Sequence, residues 1–195
     1  MTVRTAPARV RGTVFPLFSA SHPGRRRAQP VQIDIHSATV ADVPLILRFI
    51  TELAVYEKAE HEVVATPESL ERSLFGEGSP ARALMCEVDG EPAGFAVYFF
   101  SYSTWLARQG LYLEDLYVSP RFRGAGAGLR LLKALARIAV DSGCGRFEWS
   151  VLDWNEPAIR FYESVGAAPQ SEWVRYRLAG DELRAFADGA PVSAA

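Results

Sequence analysis

The chain has 195 residues, 49% of them apolar and 23% charged, with a formal net charge of −2. That length accommodates one domain but no second of ordinary size, and the apolar runs fall short of a membrane span, so neither a multidomain assembly nor a transmembrane protein is expected. Six arginines and no acid in residues 1–30 leave 15 basic against 23 acidic side chains in residues 31–195, an acidic body that disfavours nucleic acid and favours a cationic small molecule.

Residues 1–30 are rich in Arg, Ser and Pro and lack acids, the composition of an organellar transit peptide, but they have no long apolar core. Arginine is abundant throughout, 19 against 2 lysines, so a disordered basic extension in a cytoplasmic protein is the expectation. From residue 31 the pattern changes. "VQIDIHSA" alternates as a strand should, and "TVADVPLILRFITELAVYE" then places Ile46, Phe49, Ile50 and Leu53 at helical spacing. Thr39 or Asp42 is available as cap, and Pro44, tolerated in a first turn, favours Asp42. "TPESLERSLF" predicts a second helix, capped by Thr66. "ARALMCEV" and "EPAGFAVYFFSY" predict two strands joined at Asp89-Gly90, a strong hairpin signal.

"LYLEDLYV" predicts a further strand, followed by the segment "RFRGAGAG" and a largely buried helix at "LRLLKALARIAV". "RFEWSVL" and "EWVRYRL" read as strands on either side of a short helix at "NEPAIRFYESV" ended by Gly166, and "DELRAFA" reads as a last helix. An antiparallel meander followed by a strand–helix–strand unit predicts an α/β protein with a mixed sheet and helices on both faces. The domain spans residues 31–187, with a flexible tail at 188–195.

A strand, a glycine turn and a helix in succession form a common phosphate cradle. The first helical amides are unpaired, the macrodipole adds partial positive charge, and glycine allows close approach. Arg121 and Arg123 add fixed positive charge. Gly124, Gly126 and Gly128 lack the dinucleotide spacing G-x-G-x-x-G, and no lysine or hydroxyl follows to make a triphosphatase loop. An oxidoreductase and a nucleoside triphosphatase are therefore excluded. Cys86 and Cys144 are too few for a disulfide framework, and His22, His36 and His61 lack ligand spacing, so no metal is expected.

Arg121-x-x-Gly124-x-Gly126 resembles the [QR]-x-x-G-x-[GA] motif of the GCN5-related N-acetyltransferase superfamily. "LYLEDLYVSPRFRGAGAG" and "DWNEPAIRFYESVGA" are similar to that family's pyrophosphate-loop and Asn-and-Tyr regions. "ATVADVPLILRFITELAVYE" and "GFAVYFFSYSTWLARQGLYLED" resemble the spermidine/spermine (diamine) and thialysine acetyltransferase group.

The resemblance implies acetyl-CoA as co-substrate. Leu116, Tyr117 and Val118 would pair with its pantetheine arm. Arg121, Arg123, Gly124, Ala125, Gly126, Ala127, Gly128 and Leu129 would hold its pyrophosphate, with Asn155 and Ala158 as further contacts. Tyr162 would be the general acid and Glu114 would receive the substrate proton, directly or through water. Glu114, Asp115, Tyr56, Glu57, Glu148, Trp149 and Ser150 would line the amine site, and Trp105 would close it. A homodimer without nucleic acid or membrane partners is also implied.

Taken without the resemblance, Tyr162 reads first as a core tyrosine, Glu114 and Asp115 have a second reading as paired structural carboxylates, and Asn155 is a helix cap. Two other functions are open, a non-catalytic acyl-CoA-binding module and a protein or peptide acetyltransferase. The first would be expected to have lost Tyr162 or Glu114, and both are present.

Overall fold

The computed structural model describes residues 31–189. The expected basic extension at 1–30 and most of the expected tail lie outside the described residues. Five strands form one sheet in the order β1-β2-β3-β4-β5: β1 (Ile33–Ser37), β2 (Ala81–Val88), β3 (Glu91–Ser103), β4 (Arg108–Val118) and β5 (Phe147–Trp149). Neighbours are antiparallel except β4 and β5, which are parallel, as the strand–helix–strand unit required. The expected mixed sheet is present.

The helices α1 (Val43–Glu57) and α2 (Pro67–Phe75) cover one face of the sheet, and α3 (Ala127–Asp141) covers the other. Strand alternation produces this division. Phe95, Val97 and Tyr117 pack with Val43, Ile46 and Phe49 of α1 and Leu70 and Leu74 of α2. Ala96, Tyr98, Leu111 and Leu113 pack with Leu131, Leu132 and Leu135 of α3. Phe49 is fully buried between the rings of Phe95 and Tyr117, with centroids 5.8 and 5.9 Å away. A fourth helix, α4 (Glu156–Ser164), sends Phe161 and Tyr162 against the α3 layer.

The local signals operate as expected at most positions. Thr66 accepts from the Ser69 amide at 3.2 Å and caps α2. Thr39 begins a short turn at Val40–Asp42, and Asp42 is the N-cap residue of α1 with Pro44 in the first turn. Asp89 and Gly90 take φ of 52° and 79°, the left-handed pair that a two-residue hairpin needs.

Two expectations need correction. The strand expected over "RFEWSVL" is cut to Phe147–Trp149. The strand expected over "EWVRYRL" does not form, and residues 172–179 run exposed before a terminal helix α5 (Gly180–Ala187). A strand exists only with a ladder partner, and this segment makes its contacts through side chains. Trp173 meets Trp105, with ring centroids 6.3 Å apart, and Arg175 reaches Tyr112 and Ser150. Among the described residues no strand lies beyond β5. No described helix is long and apolar enough to cross a membrane.

Candidate active site

β4 and β5 diverge. Leu111–Leu113 pair with Phe147–Trp149, and the pairing then stops. Beyond that point, the edge of Leu116–Val118 that faces β5 has no strand beside it among the described residues, an opening that an extended chain could enter as an added strand. The glycine loop lies at one end of the opening. Gly124 and Gly126 have φ of 82° and 95°, a region that side-chain-bearing residues rarely adopt. Gly126 is also the N-cap residue of α3.

The first amide to find an acceptor at the helix start is that of Arg130, which donates to the Gly126 carbonyl at 3.0 Å. The amides of Ala127, Gly128 and Leu129 precede it and are left for an anion. The same six-residue pattern recurs two positions on, as Arg123-x-x-Gly126-x-Gly128. This second frame coincides with the helix N-terminus; the frame beginning at Arg121 does not. Arg121 pairs with Glu91, lies 4.3 Å from the Phe122 ring centroid and borders the same cleft as Arg123. Arg123 donates to the Val118 carbonyl at 3.0 Å and lies over the rings of Tyr56 and Tyr117. It borders a cleft of about 700 Å³ between the loop and α1, where Arg48, Glu52 and Ser119 also line the wall.

At the other end of the opening β4 carries a bulge. Val97 pairs with Asp115, but Tyr98 pairs with Leu113, so Glu114 is the extra residue. The bulge reverses the alternation. Before it, Leu111 and Leu113 face α3; after it, Tyr117 faces α1 while Leu116 and Val118 face α3. Tyr112 and Asp115 therefore share the α1 face, although their odd spacing would otherwise separate them. Glu114 is exposed.

Asp115 lines a second cleft, of about 290 Å³, with Glu57, Glu62, Ile50 and Leu53. Burial pushes its carboxyl up to about 6, and the charges of Glu114 and Glu57 add to the effect. Burial also raises Glu57 above the ordinary carboxylate range. Burial, followed by the Glu57 charge, pushes the Tyr162 hydroxyl up to about 12. Tyr162, Glu57 and Asp115 are thus electrostatic neighbours, and the tyrosine holds its proton at neutral pH.

The structure brings together Tyr56, Glu57, Asp115, Asn155 and Tyr162. Asn155 is buried at the start of α4. Its side-chain oxygen accepts from the Ala158 amide at 3.4 Å and from the Tyr56 hydroxyl at 3.0 Å, so the expected cap also ties the end of α1 to α4. Trp154 supports this clasp, with its ring centroid 5.9 Å from that of Tyr56.

Other candidates are dispersed. Trp149 lies on the α3 side, packed on Phe147 and Tyr162 with centroids 4.9 and 5.0 Å away. Glu148, opposite Tyr112 in register, is paired with Arg146 at 2.7 Å. Ser150 meets the Tyr112 hydroxyl at 2.8 Å. Trp105 is exposed. Tyr112, Trp154 and Arg175 are neighbours of the site that sequence reasoning did not single out. Cys86 is fully buried with its thiol pushed up to about 11, chiefly by burial, and burial also raises Cys144. Neither thiol is disposed to act as a nucleophile at neutral pH.

A family model described as "Acetyltransferase (GNAT) family" matches residues 49–167. A thialysine N-epsilon-acetyltransferase of Sus scrofa is 40% identical over 78% of this chain and 96% of its own length. An L-ornithine N5-acetyltransferase of Arabidopsis thaliana is 34% identical over 78% of this chain and 86% of its own. Among solved structures, an integron cassette protein from the mobile metagenome of V. cholerae aligns with a TM-score of 0.67. It is 29% identical and covers 80% of this chain and 97% of its own.

Proposed function

The chain belongs to the acetyltransferase (GNAT) family and is an N-acetyltransferase, and from that premise we propose its acceptor and its catalytic groups. The acceptor is a primary amine on a small cationic molecule, a polyamine, a diamine or a thialysine-like amino acid. The amine attacks directly, without an acetyl-enzyme, in keeping with the raised pKa of both thiols. The observation that carries this reading is the opening between β4 and β5, which leads from an anion-ready helix terminus to a pair of partly buried carboxylates.

The chain fits acetyl-CoA as the family's co-substrate. The left-handed backbone at Gly124 and Gly126 exposes the amides of Ala127, Gly128 and Leu129, which suit a pyrophosphate, and Arg123 supplies nearby charge. The open edge of Leu116–Val118 suits the pantetheine arm, and Asn155 and Ala158 of α4 are proposed as further contacts. The co-substrate supplies an activated acetyl thioester. Asp115 and Glu57 hold the incoming ammonium, Glu114 at the bulge takes one of its protons and passes it to solvent, the Tyr162 hydroxyl supplies a proton to the departing sulfur, and the second proton lost by the nitrogen as the amide forms restores the tyrosine. An identical copy is the proposed partner, because Val174, Tyr176 and Leu178 are apolar and exposed on the C-terminal arm. A cytoplasmic location is consistent with the free cysteines.

The test is thiol release from acetyl-CoA with spermidine, spermine, putrescine, thialysine, lysine and a basic peptide. At least one small amine is expected to be acetylated; tight acetyl-CoA binding with no release would sink the reading. Tyr162→Phe should lower kcat about a hundredfold and leave acetyl-CoA affinity nearly unchanged. Undiminished turnover would return Tyr162 to a packing role.

A further inference from the structure

The last two residues of α1 are divided between the two clefts. Glu57 lines the smaller one with Asp115, whereas Tyr56 lines the larger one with Glu52, Tyr117 and Arg123. Successive residues of a helix project about 100° apart, so one turn serves both clefts. The Tyr56 hydroxyl is already committed, donating to Asn155 Oδ1 at 3.0 Å. That oxygen also accepts from the Ala158 amide at 3.4 Å, which occupies both of its lone pairs.

α4 depends on this bond. The helix is nine residues long with no buried residue, and helices of that length are marginal without tertiary support. Toward its end, Phe161 and Tyr162 pack on the α3 layer, and the Tyr162 ring centroid lies 5.0 Å from that of Trp149. At its start, among the described residues, the Tyr56–Asn155 pair is the only hydrogen bond that joins α4 or its cap to a remote part of the chain. Asn155 and Tyr162 stand seven residues apart, about two turns along one helix face. A shift of the cap is therefore carried to the Tyr162 hydroxyl. The Tyr56 ring is itself fixed, with the Arg123 guanidinium carbon 5.1 Å and the Trp154 centroid 5.9 Å from its centroid.

We propose that Tyr56 is a positioning residue that works through Asn155: its hydroxyl fixes the start of α4 and so aims the Tyr162 hydroxyl into the opening between β4 and β5, instead of contacting the amine. This inference rests on the reading of Tyr162 as general acid and adds the residue that places it. Misplacing a reacting group by about 1 Å lowers turnover by up to about a hundredfold. With Phe161 and Trp149 still supporting the far end of α4, loss of the one bond should cost about tenfold.

Tyr56→Phe is the probe, since it removes one oxygen and keeps the ring contacts with Arg123 and Trp154. Initial rates with thialysine and with spermidine should show kcat lowered about tenfold, with the KM for the amine and the affinity for acetyl-CoA within about twofold of wild type. In a double-mutant cycle, adding Tyr56→Phe to Tyr162→Phe should lower kcat no further, because the group that Tyr56 places is already gone. Backbone hydrogen exchange of the full chain without ligand should run about fivefold faster over residues 156–164 and stay unchanged in β2 and β3.

A raised amine KM at unchanged kcat would return Tyr56 to the acceptor site, and full additivity with Tyr162→Phe would mean that it acts elsewhere. Either result overturns the proposal, as does unaltered exchange in α4. Hydrogen exchange separates this failure from that of the parent reading. Faster exchange in α4 together with undiminished turnover of Tyr162→Phe would remove Tyr162 as the acid and retain Tyr56 as the clasp on α4. Unaltered exchange together with a severe loss in Tyr162→Phe would retain the acid and remove the clasp.

Discussion

Asp115 combines two opposing properties, because the burial that lifts its carboxyl to about 6 also makes its charge costly to the fold. A carboxyl raised from 3.8 binds its proton more tightly in the native state than in the unfolded one. Its contribution to stability is therefore complete below pH 3.8 and is lost as pH rises through 6. At about 1.4 kcal/mol per pKa unit this is at most about 3 kcal/mol, and partial exposure brings it to the order of 1–2 kcal/mol. Asp115→Asn should accordingly unfold at higher temperature than wild type at pH 8 and converge with it near pH 4, as read by calorimetric melts across that range. The same substitution should raise the KM for the amine, since the neutral amide no longer attracts an ammonium. Wild-type kcat/KM should decline below about pH 6 as the carboxylate is protonated. A flat acid limb, or no stability gain at pH 8, would show that Asp115 is not the charge the cleft relies on.

At the scale of elements, the helices and the hairpin were legible because their determinants are local: Thr66 as cap, Pro44 in a first turn, Asp89-Gly90 as a left-handed pair. The glycine loop is equally legible as a candidate anion cradle, and the helix start at Ala127 favours the frame two residues on, beginning at Arg123. The bulge was not legible, because an extra residue is defined only against a partner strand. That one residue decides that Tyr112 and Asp115 share a face, so Tyr112 and Arg175 escaped notice while Glu114 and Asp115 did not. Gly126→Ala tests the loop. A methyl at φ 95° costs about 1–3 kcal/mol, which the chain relieves by rotating the first amides of α3. Equilibrium titration should show acetyl-CoA affinity reduced about tenfold with the amine KM unchanged. Unaltered cofactor affinity would place the pyrophosphate elsewhere.

For the whole molecule the unresolved balance lies in the arm after α4. "EWVRYRL" alternates as a strand does, yet no strand forms, because alternation specifies two faces and not a ladder partner or the identity of what covers them. The odd face is used within the chain, through Trp173 on Trp105 and Arg175 on Tyr112. The even face is bare: Tyr176 is 92% exposed and Val174 74%, with Leu178 beside them. Contiguous exposed apolar side chains are characteristic of an interface, and burying such residues contributes about 1.5–3 kcal/mol each. A second copy supplies an identical arm, and the two faces would pair about a twofold axis. Replacing Val174, Tyr176 and Leu178 together by serine should shift sedimentation from dimer to monomer at micromolar concentration. The inward face should survive, so acetyl transfer should persist in the monomer if the contacts of Trp173 and Arg175 are made within one chain. A monomer that loses this activity would mean that the partner's arm completes the site, and a variant that still sediments as a dimer would place the interface on another surface.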